Sequence, residues 1–286
     1  MAFLFAEEIM SESYRLAART SVHDTVVRAG SVRFGGGGFT LVAGPCSIES
    51  AEQMDEAAAG VARAGGTMLR GGAYKPRTSP YDFQGLGDDG LPLIAAAGAR
   101  HGLAVVTEAL AESHVALVAA YADMIQIGAR NMQNVPLLRA AARTGLPVLL
   151  KRGPSATLDE MLYAAEYVLL EGNANVVLCE RGIRGFDPHT RNVFDLGGAL
   201  RLKELSHLPV IVDPSHASGR RSLVEPLTLA AAAAGLDGAI VEMHPHPEEA
   251  RCDAAQAIDI ATFARIVRRV ESVNAALAGS EPAGCA

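Results

Sequence analysis

Eight times along this chain a short run rich in Val, Ile and Leu is followed by a stretch with helical spacing. The runs are residues 39–44, 67–71, 103–107, 124–128, 147–151, 175–179, 209–213 and 238–242. They are apolar on both faces, as strands covered on both sides must be. The intervening stretches, 51–64, 91–100, 113–120, 135–144, 158–171, 196–205, 222–234 and a last one over 258–278, are rich in Ala, Leu and Glu. Ser155-Ala156-Thr157 and Glu112-Ser113 offer helix N-caps. Strand then helix, eight times over, predicts an α/β chain folded as a single (β/α)₈ barrel. An open doubly wound sheet is the alternative, but no GxGxxG follows the first strand and the repeat count fits closure.

The chain of 286 residues with a 49% hydrophobic fraction is enough for one large core. Residues 1–38 are expected to be a short extension, with a helix over 8–18 and a flexible glycine break at 35–38. The barrel is assigned to 39–278 and a frayed tail to 279–286. A net charge of -7 and the lack of a basic face with interleaved aromatics argue against nucleic acid. No apolar run approaches the roughly 18 residues of a membrane span, and Glu7 and Glu8 argue against a secretory leader. Cys46, Cys179, Cys252 and Cys285 are widely scattered, which fits reduced thiols in the cytoplasm.

Residues 69–81 (LRGGAYKPRTSPY) place Arg70, Lys75 and Arg77 within eight positions, between glycines and prolines that impose a turn. Most basic clusters are solvated surface loops. A rigid positive loop on an acidic chain instead calls for a phosphate or carboxylate guest. The other strands also end in charge: Glu108 after the third, Arg130 after the fourth, Lys151 after the fifth, Arg181 after the sixth, Asp213 and His216 after the seventh, and Glu242 after the eighth. Chemistry in such barrels sits at those ends. Cys46, His216, Glu242 and Asp253 each have a bland reading, as a buried thiol, a turn cap or arginine partners. Together they form a thiolate, imidazole and carboxylate set suited to Mn²⁺, Fe²⁺, Co²⁺ or Zn²⁺.

Several segments resemble one family closely. They are AGPCSIES at 43–50, the 69–81 loop, FQG at 83–85, QIGARNMQN at 126–134, LCERGIR at 178–184, PVIVDPSHASGRR at 209–221 and EMHP at 242–245. Spread from about residue 34 to 258 in strand order, they resemble 3-deoxy-D-arabino-heptulosonate 7-phosphate (DAHP) synthases of type I, β subgroup.

The resemblance implies a metal-dependent condensation of phosphoenolpyruvate with erythrose 4-phosphate at the entry to the shikimate pathway. It implies Cys46, His216, Glu242 and Asp253 as ligands of a divalent ion, Mn²⁺ first, with Fe²⁺, Co²⁺, Zn²⁺ or Cd²⁺ as alternatives. Arg130, Lys151 and Arg181, with Arg70 close by, match the phosphoenolpyruvate contacts. Lys75 matches the catalytic lysine, Arg77 and Thr78 the aldose phosphate binders, and Glu108, Asp213 and His216 the remaining catalytic positions. A cytoplasmic homotetramer is implied, a chorismate mutase is a conceivable partner, and direct inhibition by aromatic amino acids is expected to be weak.

Gly185, Met243 and Ala254 depart from the family pattern, and Ala254 puts the Asp253 loop in question. The nearest rival is 3-deoxy-D-manno-octulosonate 8-phosphate synthase, acting on arabinose 5-phosphate. It is expected to carry an Asn-Arg-Ser-Ser type loop where this chain has Lys75-Pro76-Arg77-Thr78, and to lack Gly128-Ala129-Arg130-Asn131. A non-catalytic barrel is the other reading, since fold alone does not fix function.

Overall fold

In the computed structural model, which describes residues 14–20 and 24–278, eight parallel strands close into a barrel. A hairpin of β1 (Val27–Ala29) and β2 (Val32–Phe34) comes first. The barrel strands are β3 (Thr40–Gly44), β4 (Met68–Arg70), β5 (Ala104–Glu108), β6 (Met124–Ile127), β7 (Val148–Lys151), β8 (Val176–Glu180), β9 (Val210–Val212) and β10 (Gly238–Glu242). Each pairs with its sequence neighbour, and β10 pairs in parallel with β3 to close the ring. All eight coincide with the apolar runs to within two residues at either end.

The helices are α1 (Ala51–Arg63), α2 (Gly90–His101), α3 (Glu112–Tyr121), α4 (Val135–Arg143), α5 (Leu158–Leu170), α6 (Leu196–Leu205), α7 (Pro214–Ser218), α8 (Arg221–Ala233) and α9 (Ile260–Ala278). Their starts are written in the sequence. Ser50 accepts from the Gln53 N–H, and Thr157 forms a reciprocal capping box with Glu160. The Glu112-Ser113 cap does not form: α3 begins at Glu112 behind Ala111, whose side chain has no oxygen to offer. The one-turn helix α7 had no sequence signal of its own beyond Asp213-Pro214, and Asp213 caps it by accepting from the His216 N–H.

The extension differs from its expectation. Residues 14–18 form turns and a bridge from Ala18 to Ser206 rather than a helix, and residues 8–13 and the tail at 279–286 lie outside the described residues. Residues 27–34 form an antiparallel hairpin that puts Val27, Ala29, Val32 and Phe34 on one buried face and Arg28 and Arg33 on the other. The apolar face packs on Val42, Met68, Ala104, Met124, Leu149, Val177, Ile211 and Ile240. These belong to all eight strands and fill the barrel interior. The alternation Val27-Arg28-Ala29-Gly30-Ser31-Val32-Arg33-Phe34 is the hairpin's signature.

The core thus has two layers. Inward side chains meet the hairpin, while Leu41, Leu69, Val105, Ile125, Leu150, Leu178, Val210 and Val241 face the helices.

Candidate active site

Side chains alternate along a strand, so each inward column continues every second residue. Extending the interior positions outward gives the end of each column. Val42 leads through Gly44 to Cys46, Met68 to Arg70, Val106 to Glu108, and Met124 to Gln126. Leu149 leads to Lys151, Cys179 to Arg181, Ile211 to Asp213, and Ile240 to Glu242. Eight strands therefore deliver seven ionisable side chains and one amide to one end of the axis. All eight are buried. Such a concentration of charge in a dry place is costly unless the groups are paired or serve a ligand.

They are partly paired. Arg70 donates to Glu242 Oε1 at 2.9 Å and to the Pro45 carbonyl at 3.1 Å, and its Nε has no partner. Lys151 Nζ bonds Asp213 Oδ2, and His216 Nδ1 meets that same oxygen at 2.7 Å. Burial acts to raise the Asp213 and Glu242 carboxyls. Their partners prevail: His216 and Lys151 at Asp213, and His216, Arg70 and Lys75 at Glu242, hold both well below the ordinary carboxylate range. Lys75 Nζ donates to the Cys46 carbonyl at 3.1 Å. Burial works against its ammonium form, but the carboxylates of Glu242 and Glu108 favour it, and its pKa lies above the usual value. It is an ammonium at neutral pH.

Above these groups lies a cavity of about 430 Å³. Arg70, Lys75, Arg77, Thr78, Glu108, Arg130, Lys151, Arg181, His216 and Asp253 line it, while Cys46, Asp213 and Glu242 lie beneath. Every site residue expected from the sequence is therefore brought to one place. Two are not deep. Arg130 is an exposed rim residue that donates to the Pro76 carbonyl at 2.8 Å, and Thr78 is exposed on the same loop. A larger hollow of about 810 Å³ lies to one side, among Arg191, Arg220, Arg221 and Arg265, and contains none of the column ends.

At one side of the floor, Cys46 Sγ, a Glu242 oxygen and an Asp253 oxygen lie within 4.8 Å of one another. His216 Nε2 stands at the border, 3.4 Å from Glu242 Oε1 and 3.9 Å from Asp253 Oδ2. The Cys46 thiol points at Asp253 Oδ2, 3.4 Å away. A contact with Cys252 and then burial push the thiol pKa well up, so the proton stays on sulfur. Soft sulfur, two carboxylates and an imidazole edge are a donor set that fits a borderline divalent cation, which would take the place of that proton. Despite Ala254, the loop keeps Asp253 in the group. It does so with Asp253 at φ 52, the only non-glycine positive φ among the described residues. Cys252 turns instead toward Arg77, whose Nη1 lies on its sulfur, and does not join the group.

Three residues of the site were not singled out from sequence. Gln126 donates to Glu108 Oε2 at 2.9 Å. Counting in twos from Met124 finds it, because an amide at an inward position of an apolar strand is an anomaly. Gln256 and Arg191 come from loops and carry no periodic signal. Gly128 lets Glu108 lie where it does, since a Cβ there would fall 1.9 Å from Glu108 Oε1.

Residues 18–277 match the family described as the DAHP synthetase I family. The phospho-2-dehydro-3-deoxyheptonate aldolase of Thermotoga maritima is 49% identical over 265 residues, covering 92% of this chain and 78% of that protein. Its crystal structure superposes with a TM-score of 0.89 over the same shares. A truncated form of 3-deoxy-D-arabino-heptulosonate 7-phosphate synthase from T. maritima gives 0.87 at 45% identity, covering 93% and 98%. The 2-dehydro-3-deoxyphosphooctonate aldolase of Nitrobacter hamburgensis is more distant, 32% identical over 277 residues. An eight-stranded barrel whose inward columns all end in polar groups, matched from end to end by these relatives, places the chain in the DAHP synthetase I family.

Proposed function

We propose that the chain joins phosphoenolpyruvate, D-erythrose 4-phosphate and water to give DAHP and inorganic phosphate, the first step of the shikimate pathway. The observation that carries this reading is the cavity itself. Eight cationic side chains line it, Arg184 and Arg191 together with Arg70, Lys75, Arg77, Arg130, Lys151 and Arg181, beside the Cys46, Glu242 and Asp253 donors. Two phosphate esters and a carboxylate are guests of matching charge.

In this reading Arg130, Lys151 and Arg181 hold the phosphate and carboxylate of phosphoenolpyruvate, with Arg70, whose Nε has no partner within the protein, close by. Arg77 and Thr78 take the phosphate of the aldose. Cys46, His216, Glu242 and Asp253 would hold the divalent cation, which when bound polarises the aldehyde as a Lewis acid. Carbon 3 of phosphoenolpyruvate attacks the aldehyde carbon, and the carbonyl electron pair moves to oxygen. Lys75 gives that oxygen its proton, since an alkoxide is more basic than an amine. Water adds at carbon 2 and passes a proton to Glu108; the carbon–oxygen bond to phosphate then breaks, the phosphate leaving with the electron pair while the carbon 2 hydroxyl loses its proton and becomes the ketone. Asp213 orients His216 and offsets the charge of Lys151.

Mn²⁺ as the ion, a cytoplasmic setting, a homotetramer and a barrel running from 39 to 278 are parts of this proposal, supported by the family resemblance. No helix among the described residues is long and apolar enough to cross a membrane.

A phosphate-release assay tests the reading. Phosphoenolpyruvate is offered with erythrose 4-phosphate or with arabinose 5-phosphate, each with and without chelator. Turnover with the four-carbon sugar, abolished by chelator and restored by Mn²⁺, is the expected result. A higher kcat/KM with arabinose 5-phosphate overturns the sugar assignment, and full turnover in chelator overturns the metal role.

A further inference from the structure

The Glu242 carboxylate is gripped from two sides. Oε1 faces Arg70 at 2.9 Å and His216 Nε2 at 3.4 Å. Oε2 faces away from both and accepts from Gln256 Nε2 at 2.5 Å. Gln256 is 3% exposed and comes from the loop beyond β10. Its other amide atom, Oε1, accepts from Arg191 Nη1 at 3.2 Å. A guanidinium can only donate, so Arg191 decides which way the amide is turned. With the oxygen drawn to Arg191, the NH₂ group must face Glu242. A flipped amide would set oxygen against carboxylate and leave a buried acceptor unsatisfied.

The backbone of Gln256 makes a second link. Its N–H donates to the Asp253 carbonyl at 3.1 Å and closes the turn that holds Asp253 at φ 52. The Ala257 N–H reaches the same carbonyl at 3.3 Å. One residue thus ties the loop carrying Asp253 to the carboxylate of Glu242. These two groups come from different places in the chain and must converge with Cys46 to within 4.8 Å.

We infer that Gln256 is a positioning residue for the cation site: locked in one orientation by Arg191, it fixes the Glu242 carboxylate through Oε2 and, through its backbone, the turn that carries Asp253. The inference rests on the reading of Cys46, His216, Glu242 and Asp253 as ligands. Outer partners of this kind set the orientation and basicity of a ligand, and their loss weakens metal binding by about 10- to 100-fold.

The test uses the full chain stripped by chelator and titrated with MnCl₂, with free Mn²⁺ read by electron paramagnetic resonance. Gln256→Met keeps the length and removes the donor. It is expected to weaken Mn²⁺ by about tenfold or more, with saturating Mn²⁺ restoring most of kcat, whatever the thermal midpoint of the metal-free protein loses through the unpaired Glu242 oxygen. A purely structural residue would lower the midpoint and leave affinity alone.

Gln256→Asn, one methylene short of Glu242, takes over if the methionine variant does not fold, with the same expectation. A wild-type chain that binds Mn²⁺ and a variant that equals it within about twofold overturn the inference alone. A wild-type chain that takes up no Mn²⁺ overturns the ligand reading and the inference with it.

Discussion

Asp213 holds His216 at two points: Oδ1 accepts its backbone N–H at 2.9 Å and Oδ2 meets its Nδ1 at 2.7 Å. The second contact puts the imidazole proton on Nδ1 and leaves Nε2 bare toward Glu242 and Asp253. Lys151 shares Oδ2, so one carboxylate sets the ring and neutralises a buried ammonium. Asp213→Asn places an NH₂ beside Nδ1, drives the proton to Nε2 and strands Lys151. The expected result is a loss of about 100-fold or more in kcat/KM and of about 3 kcal/mol in stability. The nitrogen-15 shifts of the ring are expected to report the other tautomer. An Asn variant whose Nε2 remains unprotonated would sink this account.

Gly128 and Glu108 compete for the same space. The backbone at Gly128 has φ -69, open to any residue, so the glycine is required by the carboxylate alone. Gly128→Ala puts a methyl group 1.9 Å from Glu108 Oε1 and 2.8 Å from its Cδ. Glu108 must swing away and release Gln126. Overpacking of this kind costs about 1–3 kcal/mol. The chain is expected to fold, with kcat reduced and KM for the aldose phosphate less changed. Wild-type kcat in a folded Ala variant would show that Glu108 needs no fixed place.

Glu180 is a liability at neutral pH. Its side chain is fully buried, Oε1 takes the Gly182 N–H at 2.6 Å, and Oε2 has no partner. Burial pushes its pKa up from 4.5 to about 7. Between those values the folded chain binds more protons than the unfolded one, so stability falls as pH rises, and above about 7 the penalty is constant. Glu180→Gln keeps the bond to Gly182 and removes the charge. It is expected to raise stability at about pH 8 by at most about 3 kcal/mol and to change it far less at about pH 5. Equal effects at both pH values in denaturant titrations would refute the role of ionisation.

The strands and their rim were legible because burial on both faces leaves no ambiguity of composition, and because a charge that ends an apolar run is conspicuous. Lys151 after Val148, Leu149 and Leu150 is such a case. Gln126 was hidden inside its strand by its neutrality. Gln256 and Arg191 were hidden because loop residues meet only through tertiary folding. The hairpin was overlooked although its alternation runs over 27–34, because each strand is only three residues long and lies next to a glycine run. Residues 14–18 were overlooked since helical composition there yields to the bridge from Ala18 to Ser206.

The hairpin at 27–34 bears on the order in which this chain can assemble. Earliest of the strands among the described residues, it has no seat until the last one is in place, because its apolar face rests on residues from Val42 to Ile240. Contacts of such separation form late. In pulsed hydrogen exchange during refolding, the amides of Val27–Phe34 are expected to gain protection only in the slowest phase, and early protection would contradict this. A nascent chain stalled before β10 would keep Val27, Ala29, Val32 and Phe34 in water, an apolar flag that chaperones can read until synthesis is complete.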